Sequence, residues 1–366
     1  VNAHGGGIWF ENGKYYLYGE HFSGGTNDFK AMAMYSSTDL MNWIWVGKVL
    51  PVQASGELGP KRVGERPHIL KCASTGEYVM YIHAADLTYQ KDKECVYATS
   101  PTIDGIYTFK GALTNSSGSK IVHSDMSVFQ DGPTGYVITE SGYAHKLADD
   151  YHSWTEITLK GPAALNGAES PTVFKMGDTY YWLFSDKTGW RSNDNNYATA
   201  PAIAGPWTKK GLLAPAGKKT WDSQSTFVLS VTGTKGTTYM FCGDRWNADD
   251  NSKATYVWQP LIVNGASISM PTFHESWYLN VTTGTWSADA MPTPTKGSAP
   301  SLKAGNRHRS FVNYPKELAR SEAFAPSGEW MLATTNGRVV TRGKGQEAFA
   351  NLVKYLPEVK FVLTLN

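Results

Sequence analysis

The sequence predicts an all-β protein, folded as a five-bladed β-propeller with a small C-terminal α/β extension. Three observations lead to this prediction. The chain is rich in strand-forming aromatic residues, with 13 Trp, 20 Tyr and 14 Phe, and it contains 36 Gly. Long amphipathic helical patterns are scarce. A unit typical of a β-hairpin also recurs five times, and such repetition is the sequence signature of a propeller.

The five repeated units share one order of residues. A polar residue precedes a short apolar strand, which is followed by a Gly-containing turn and by a second strand led by tyrosines or other large apolar residues. The units are AHGGGIWFENGKYYLYGE from Ala3, GERPHILKCASTGEYVMYIH from Gly64, SDMSVFQDGPTGYVITES from Ser124, AESPTVFKMGDTYYWLFS from Ala168 and SQSTFVLSVTGTKGTTYMFCGDRW from Ser223.

A third recurrent element follows each hairpin and predicts an outer pair of strands. Units of four short strands at a spacing of roughly 45 to 60 residues are typical of propeller blades. We therefore expect five four-stranded blades. The third elements are MYSSTDLMNW, VYATSPTIDGIYTF, HKLADDYHSW, YATAPAIAGPW and the more divergent YVWQPLIVNG.

The predicted propeller covers residues 1–286, and a Pro/Ser/Gly-rich linker covers 287–301. Residues 302–366 form the predicted extension, to which we assign no activity. In it, one helical face precedes a probable strand and predicts a small α/β piece. The residues of that face are Ala348, Phe349, Leu352, Val353 and Leu356.

Charge and hydropathy argue against several classes of partner. Lys and Arg number 34 and Asp and Glu 32, so a net charge of +2 supplies no field suited to nucleic acid or to a membrane surface. No stretch approaches the ~20 apolar residues of a membrane-spanning helix, and no export signal opens the sequence. We expect a monomer that is secreted or periplasmic.

The three cysteines show no metal-ligand spacing. Cys72 and Cys95 lie in one repeat and could form a disulfide in an oxidising compartment, which would leave Cys242 alone.

Alignment of the repeats places one polar residue at the entrance of every first strand. In a propeller these strands line the central channel, so the five side chains should form a ring at one end of it. Three are acids, and crowding together with burial should raise the pKa of at least one. The alternative is that they cap strand ends or bind a structural cation. The ring residues are His4, Glu65, Asp125, Glu169 and Gln224.

Glu169 is the strongest candidate for a proton donor, because Pro171 restricts the backbone beside it, immediately before an apolar strand. Polar and aromatic residues near the ends of the fourth and fifth hairpins could line a sugar pocket around it. These candidates are Thr188, Trp190, Asp244 and Arg245.

The chain resembles the five-bladed glycoside hydrolases of family 43, and within them the exo-β-1,3-galactanase-like branch. The resemblance covers roughly four fifths of the chain, and its motifs occur in order at blade-like spacing. These motifs are AHGGGI at 3–8, ERPHI at 65–69, SDM at 124–126, ESPTVF at 169–174, TGW at 188–190, SQSTFVL at 223–229 and GDRW at 243–246.

The resemblance implies roles for the ring. Glu169 is implied as the general acid, Asp125 as the neighbour that tunes and orients it, and Glu65 as a ligand of sugar hydroxyls. Tyr89 and Thr188 are implied as further substrate contacts. The usual aspartate base of the wider family is absent from the first blade, as it is from the galactanase-like branch. His4 there could be a base, a buried histidine or a ligand of a central cation.

Gln224 is the predicted water-activating residue. Its carbonyl oxygen could hold the attacking water, or an imidic-acid tautomer, proposed for the resembled branch, could take the proton of the water. The alternative is that Gln224 only binds a substrate hydroxyl.

We expect an inverting, exo-acting hydrolase that releases galactose from the β-1,3-galactan main chains of arabinogalactan. The chemistry requires no cofactor, although a structural Ca²⁺ could occupy the channel. Two alternatives remain open: another family 43 specificity, such as arabinofuranosidase or xylosidase, and a sugar-binding propeller without catalysis.

Overall fold

Short turns rich in glycine join the strands of the predicted hairpins. The turn between β1 (His4–Glu11) and β2 (Lys14–Glu20) consists of Asn12 and Gly13, whose φ angles are 51° and 76°. Two positive φ angles in a two-residue loop are typical of a type I′ turn, whose twist matches that of the flanking strands. The Asn-Gly pair therefore favours the tight hairpin that the repeat predicts.

The computed structural model describes residues 1–23, 25 and 27–288, together with four strands between residues 309 and 364. The chain divides into two units, Val1–Ala290 and Met291–Asn366. The part of the chain that the structure describes contains no helix with the length and apolar character needed to cross a membrane.

The first unit is a five-bladed β-propeller, as predicted. Each of the first four blades is an antiparallel sheet of four consecutive strands, paired in chain order. Blade 1 consists of β1, β2, β3 (Ala31–Ser37) and β4 (Ile44–Pro51), and blade 2 of β5 (Arg62–Lys71), β6 (Tyr78–Asp86), β7 (Glu94–Ser100) and β8 (Thr108–Ala112). Blade 3 consists of β9 (Met126–Asp131), β10 (Thr134–Thr139), β11 (Tyr143–Leu147) and β12 (Trp154–Lys160), and blade 4 of β13 (Glu169–Met176), β14 (Thr179–Ser185), β15 (Asn196–Ala200) and β16 (Thr208–Leu212).

The fifth blade has three strands, so the prediction of four strands in every blade is wrong here. Its strands are β17 (Gln224–Thr232), β18 (Thr237–Arg245) and β19 (Thr255–Pro260). An irregular segment bonds to β19 instead of a fourth strand: Gln259 exchanges two hydrogen bonds of 2.9 Å with the backbone of His274, and Trp277 Nε1 donates to Trp258 O. Two small hairpins flank this segment, β20 (Ile262–Asn264) with β21 (Ser267–Ser269) and β22 (Tyr278–Asn280) with β23 (Thr285–Ser287).

The core consists of separate apolar clusters between neighbouring blades. The cluster between blades 1 and 2 contains Met32, Met34 and Met80, and the cluster between blades 3 and 4 is centred on the fully buried Trp182. Alternation along each strand sends side chains to both faces of the blade, and each face packs on a neighbour. Large apolar residues on both faces therefore stabilise a closed ring of sheets.

Side chains, and not a shared strand, close the ring between blades 5 and 1. Asp244 on β18 accepts hydrogen bonds from Gly5 N at 2.8 Å, and its other oxygen lies 2.7 Å from His4 Nδ1. Tyr256 stacks on the His4 ring at a centroid distance of 4.7 Å. An apolar cluster that contains Tyr15 and Leu229 lies beside these contacts.

The disulfide between Cys72 and Cys95 that the sequence leaves open is absent, and both thiols are free and buried. Cys72 follows the end of β5, whereas Cys95 lies on β7 opposite His83 of β6. Because β6 lies between them, and Cys72 N bonds to Glu77 O near the end of β6 remote from His83, the two residues are at least two strand spacings, ~9.5 Å, apart, which exceeds the Cα separation that a disulfide can span.

In the second unit the structure describes a four-stranded sheet in the order β24-β27-β25-β26. Most of the predicted linker and the predicted helical face lie outside the described residues. The four strands are β24 (Arg309–Asn313), β25 (Glu329–Ala333), β26 (Val339–Lys344) and β27 (Lys360–Thr364).

Candidate active site

An irregularity recurs at the entrance of the first strand in three blades. The residue after His4, Glu65 and Glu169 has a positive φ, and the pairing register shifts just beyond it. Such a bulge bends the strand and re-aims the neighbouring side chains. The residues in this conformation are Gly5, Arg66 and Ser170, with φ of 64°, 50° and 51°.

Four of the five ring residues line one cavity of about 330 Å³. They are Glu65, Asp125, Glu169 and Gln224, which come from blades 2, 3, 4 and 5. The volume lies in the range typical of small-ligand sites. The fifth ring residue, His4, is not among the residues that line the cavity.

The surroundings of the Glu169 carboxyl group suit a proton donor. Burial and, second, the nearby Asp125 carboxylate raise the pKa of Glu169 to about 8. Asp125 Oδ2 in turn accepts from Ser170 N at 2.9 Å, which fixes the backbone beside Glu169. A carboxyl group that keeps its proton at neutral pH can donate it to a leaving group.

Gln224 uses every hydrogen-bonding position of its carboxamide. Oε1 accepts from Arg66 Nη2 at 2.6 Å and from Trp246 Nε1 at 2.8 Å. Nε2 donates to Ser185 Oγ at 2.9 Å and to Glu169 Oε2 at 3.3 Å. A carboxamide has two donor hydrogens and two acceptor lone pairs, so the partners of Gln224 are complete.

Glu65 and Tyr89 form a second polar pair in the cavity. Tyr89 donates from its hydroxyl to Glu65 Oε1 at 2.5 Å, and His83 Nδ1 lies 3.6 Å from Glu65 Oε2. Burial, followed by the Glu65 carboxylate, raises the pKa of Tyr89, which therefore stays a neutral donor. A carboxylate with a phenol beside it can bind sugar hydroxyls.

Two indole rings form an apolar wall of the same cavity. Trp190 and Trp246 pack edge to face, with centroids 5.4 Å apart and planes at 72°. Aromatic faces of this kind pack against the C–H groups of a pyranose ring. The cavity thus combines carboxylates on one side with aromatic rings on another.

The other predicted contact residues lie outside this cavity. Asp244 and Arg245 line an adjoining cavity of about 310 Å³. The Asp244 carboxyl group is occupied by its contacts with His4 and Gly5 at the seam, the boundary between blades 5 and 1. Arg245 donates to Trp221 O at 3.1 and 3.0 Å. Thr188 donates from its hydroxyl to Arg191 O within its own loop.

The sequence reasoning missed several residues that line the cavity, among them Glu20 and Arg66. Burial, and second the charge of Glu65, raise the pKa of Glu20 well above its ordinary value. The missed signal is the register of the hairpins. Glu20 and His83, which pair with His4 and Glu65, line the cavity, and Ser185, which pairs with Glu169, accepts a hydrogen bond from Gln224.

The channel beyond the ring is the place where the expected structural Ca²⁺ could lie. Three buried polar atoms there have no partner: His68 Nε2, Ser127 Oγ and Thr172 Oγ1. Burial, and then Arg66, lower the pKa of His68 to about 3, so its imidazole is neutral. Ca²⁺ prefers carboxylate and carbonyl oxygens, and no described group of three His, Cys, Asp or Glu could hold a metal. This donor set does not fit direct Ca²⁺ coordination.

Solved structures share this architecture. A protein from Bifidobacterium bifidum S17, assigned as an exo-β-1,3-galactanase, is 32% identical at a TM-score of 0.69, with 77% of this chain and 95% of that chain covered. An exo-β-1,3-galactanase from Phanerochaete chrysosporium, solved with β-1,3-galactotriose, is 25% identical at a TM-score of 0.72, with 100% and 90% covered.

A Bacteroides β-1,3-galactosidase of glycoside hydrolase family 43 is 28% identical at a TM-score of 0.66, with 75% of this chain and 59% of that chain covered. No protein-family model and no curated protein matches the chain. The ordered motifs, the five blades, the acidic cavity and these likenesses agree. The chain belongs to glycoside hydrolase family 43, in its exo-β-1,3-galactanase-like branch, and is a glycoside hydrolase.

Proposed function

We propose that this protein is an inverting, exo-acting hydrolase that releases galactose from the ends of β-1,3-galactan main chains of arabinogalactan. The observation that carries the proposal is Glu169, a carboxyl group kept protonated near neutral pH in a cavity with two indole rings. The galactanases among the structural relatives support galactan as the substrate.

The shape of the cavity supports attack at a chain end. Its deep side consists of buried side chains, among them Glu20, Arg66 and His83. A pocket that ends on buried groups admits a terminal sugar and leaves the rest of the polymer at its mouth. Trp190 and Trp246 would then pack on the sugar rings.

In the proposed reaction Glu169 donates its proton to the glycosidic oxygen as the bond to the anomeric carbon breaks. A water molecule attacks that carbon from the opposite face and forms the new C–O bond, so the product has the inverted configuration, and the proton that the water loses passes to solvent. Asp125 keeps the proton on Glu169 until the leaving group takes it. Glu65 and Tyr89 bind hydroxyls of the terminal sugar.

Gln224 is proposed to position the water, but this role requires a change of partners. Both lone pairs of its carbonyl oxygen already accept hydrogen bonds, from Arg66 and Trp246. Of these two donors, Trp246 is only partly buried, and it packs against Trp190 at the wall where a sugar would enter. Displacement of its N–H by substrate would free one lone pair for water.

Incubation with β-1,3-galactan tests the proposal. We expect free galactose as the first product and, by proton NMR at early times, its α-anomer. Release of arabinose or xylose from matched substrates instead of galactose would assign another specificity of the family. Binding of galactan without release of any product would indicate a sugar-binding propeller without catalysis. A secreted or periplasmic monomer stays the prediction for the whole protein.

A further inference from the structure

Arg66 has a strained backbone in a buried position. Its φ is 50°, in a region that residues other than glycine rarely adopt, and its side chain is buried within the site. Its backbone N–H donates to Glu20 Oε1 at 2.9 Å, which helps to hold this conformation. Strain of this kind persists only where the surroundings impose it, and it often marks a functional position.

The guanidinium of Arg66 joins three blades. Nη2 lies 3.0 Å from Asp125 Oδ2 in blade 3 and 2.6 Å from Gln224 Oε1 in blade 5, while Arg66 itself belongs to blade 2. Nη1 lies 3.5 Å from Ser225 O. One buried cation therefore contacts both the neighbour of the general acid and the carboxamide proposed to position water.

These contacts decide the orientation and the chemical form of Gln224. Arg66 and Trp246 can only donate, so the atom that faces them must be an acceptor, which is the carbonyl oxygen. In the imidic-acid tautomer this oxygen would carry a hydrogen and would face two donors with nothing to accept it. The amide nitrogen faces Ser185 and the Glu169 carboxyl group, to which an N–H can donate.

We propose that Arg66 is a positioning residue that fixes Gln224 as an amide, with its N–H toward Glu169 and its oxygen as the only part able to orient water. The proposal rests on the proposed function and deepens it. Of the two forms considered for Gln224, it selects the carbonyl form over the imidic acid.

A double-mutant cycle on galactan tests whether Arg66 acts through Gln224. Misplacement of a catalytic group by about 1 Å can cost on the order of 10²-fold in rate, and we expect Arg66→Met to lower kcat by about that factor. In a Gln224→Ala background the same change should alter kcat by no more than about twofold. Fully additive losses would overturn the proposal. Arg62→Met is the matched control, because Arg62 lies on the same strand and pairs with exposed Asp92.

The pH dependence supplies a readout that a merely structural role would not move. The charged groups that face Glu169 are Asp125, Arg66, Lys187 and Glu140. Since Arg66 lowers the pKa of Glu169, its removal should shift the alkaline limb of kcat/KM to higher pH. Arg66→Lys keeps the positive charge but not the planar guanidinium group. This variant should therefore keep the alkaline limb of the wild-type pH profile and still lose kcat. An alkaline limb of kcat/KM that stays at the wild-type pH in Arg66→Met would contradict the placement of the Arg66 charge beside Glu169.

NMR separates this proposal from the proposed function, because it needs no turnover. In protein labelled with ¹⁵N-glutamine, Gln224 should show two resolved side-chain amide protons, assigned by their loss in Gln224→Ala. We expect Arg66→Met and Arg66→Lys to shift and broaden this pair, whereas Arg62→Met leaves it unchanged. An unchanged pair in both Arg66 variants would overturn the proposal even if galactan is cleaved. If the amide protons of Gln224 shift in the Arg66 variants but the wild-type protein releases no galactose, only the proposed function is contradicted.

Discussion

Gln224 Nε2 donates a hydrogen bond across 3.3 Å to Glu169 Oε2, so the side chain proposed to position water contacts the side chain proposed to donate the proton. The two residues begin the first strands of neighbouring blades 4 and 5. Because Gln224 donates, the contact stabilises the ionised form of Glu169 in the free enzyme. An inverting reaction needs the proton donor and the attacking water on opposite faces of the sugar, with the two side chains ~6.5–9.5 Å apart, so substrate must separate Gln224 from Glu169 before the chemical step.

Glu169→Gln should remove proton donation while it preserves the shape of the site. General acid catalysis contributes typically ~10²- to 10⁴-fold, and we expect a loss of kcat on galactan within that range. Binding of galactose or galactan, measured by calorimetry, should remain. Glu156→Gln, a change at an exposed carboxylate in blade 3, is the control. Near wild-type turnover by Glu169→Gln would exclude Glu169 from the role.

Activity should fall as the pH rises through the pKa of Glu169, about 8, because the general acid works only in its protonated form. Since the Asp125 carboxylate raises this pKa, Asp125→Asn should shift the alkaline limb of kcat/KM to lower pH. The measurement is the pH profile of both proteins on one galactan preparation. An upward shift in Asp125→Asn would contradict the proposed tuning.

Gln224→Ala should depress kcat far more than it changes KM, because a water that is no longer positioned slows the chemical step and not binding. Azide, a small nucleophile, should partly restore turnover and give the galactosyl azide of inverted configuration. A raised KM with an intact kcat would make Gln224 a binding residue only.

Asp244→Ala should destabilise the propeller without a direct effect on substrate binding. The change removes two hydrogen bonds at the seam and leaves His4 and Gly5 N without their partner. Each buried polar group left without its hydrogen-bond partner costs about 1–3 kcal/mol, so thermal unfolding should shift to clearly lower temperature. Asp92→Ala, at an exposed ion pair, should leave Tm nearly unchanged. Wild-type stability with a raised KM would instead support the predicted substrate contact.

Local patterns in the sequence were sufficient for the hairpins, the blade number and the four ring residues that line the cavity. Glu65, Asp125, Glu169 and Gln224 could be found because one repeat places them at equivalent positions. Arg66 was not singled out, because its role depends on contacts with two other blades that no local pattern encodes. His4 was placed in the ring by alignment, but its side chain pairs with Asp244, a residue 240 positions away.

The register of strand pairing across each hairpin identifies further residues of the cavity. Glu20 and His83 stand opposite entrance residues, and their positions follow from strand pairing once the turns are fixed. The missing fourth strand of blade 5 could not be predicted, because side-chain hydrogen bonds of Gln259 take the place of a strand.

The seam between blades 5 and 1 also affects the order in which the molecule assembles. Every blade consists of consecutive strands, so each sheet can pair as soon as its own segment has been synthesised. The seam face of blade 1 cannot be covered in this way, since its partner Asp244 follows 240 residues later. Closure of so long a loop carries a large entropic cost and slows folding. Until the last blade is synthesised, the nascent chain therefore exposes the apolar residues around Tyr15 and Leu40, which blade 5 covers in the folded protein.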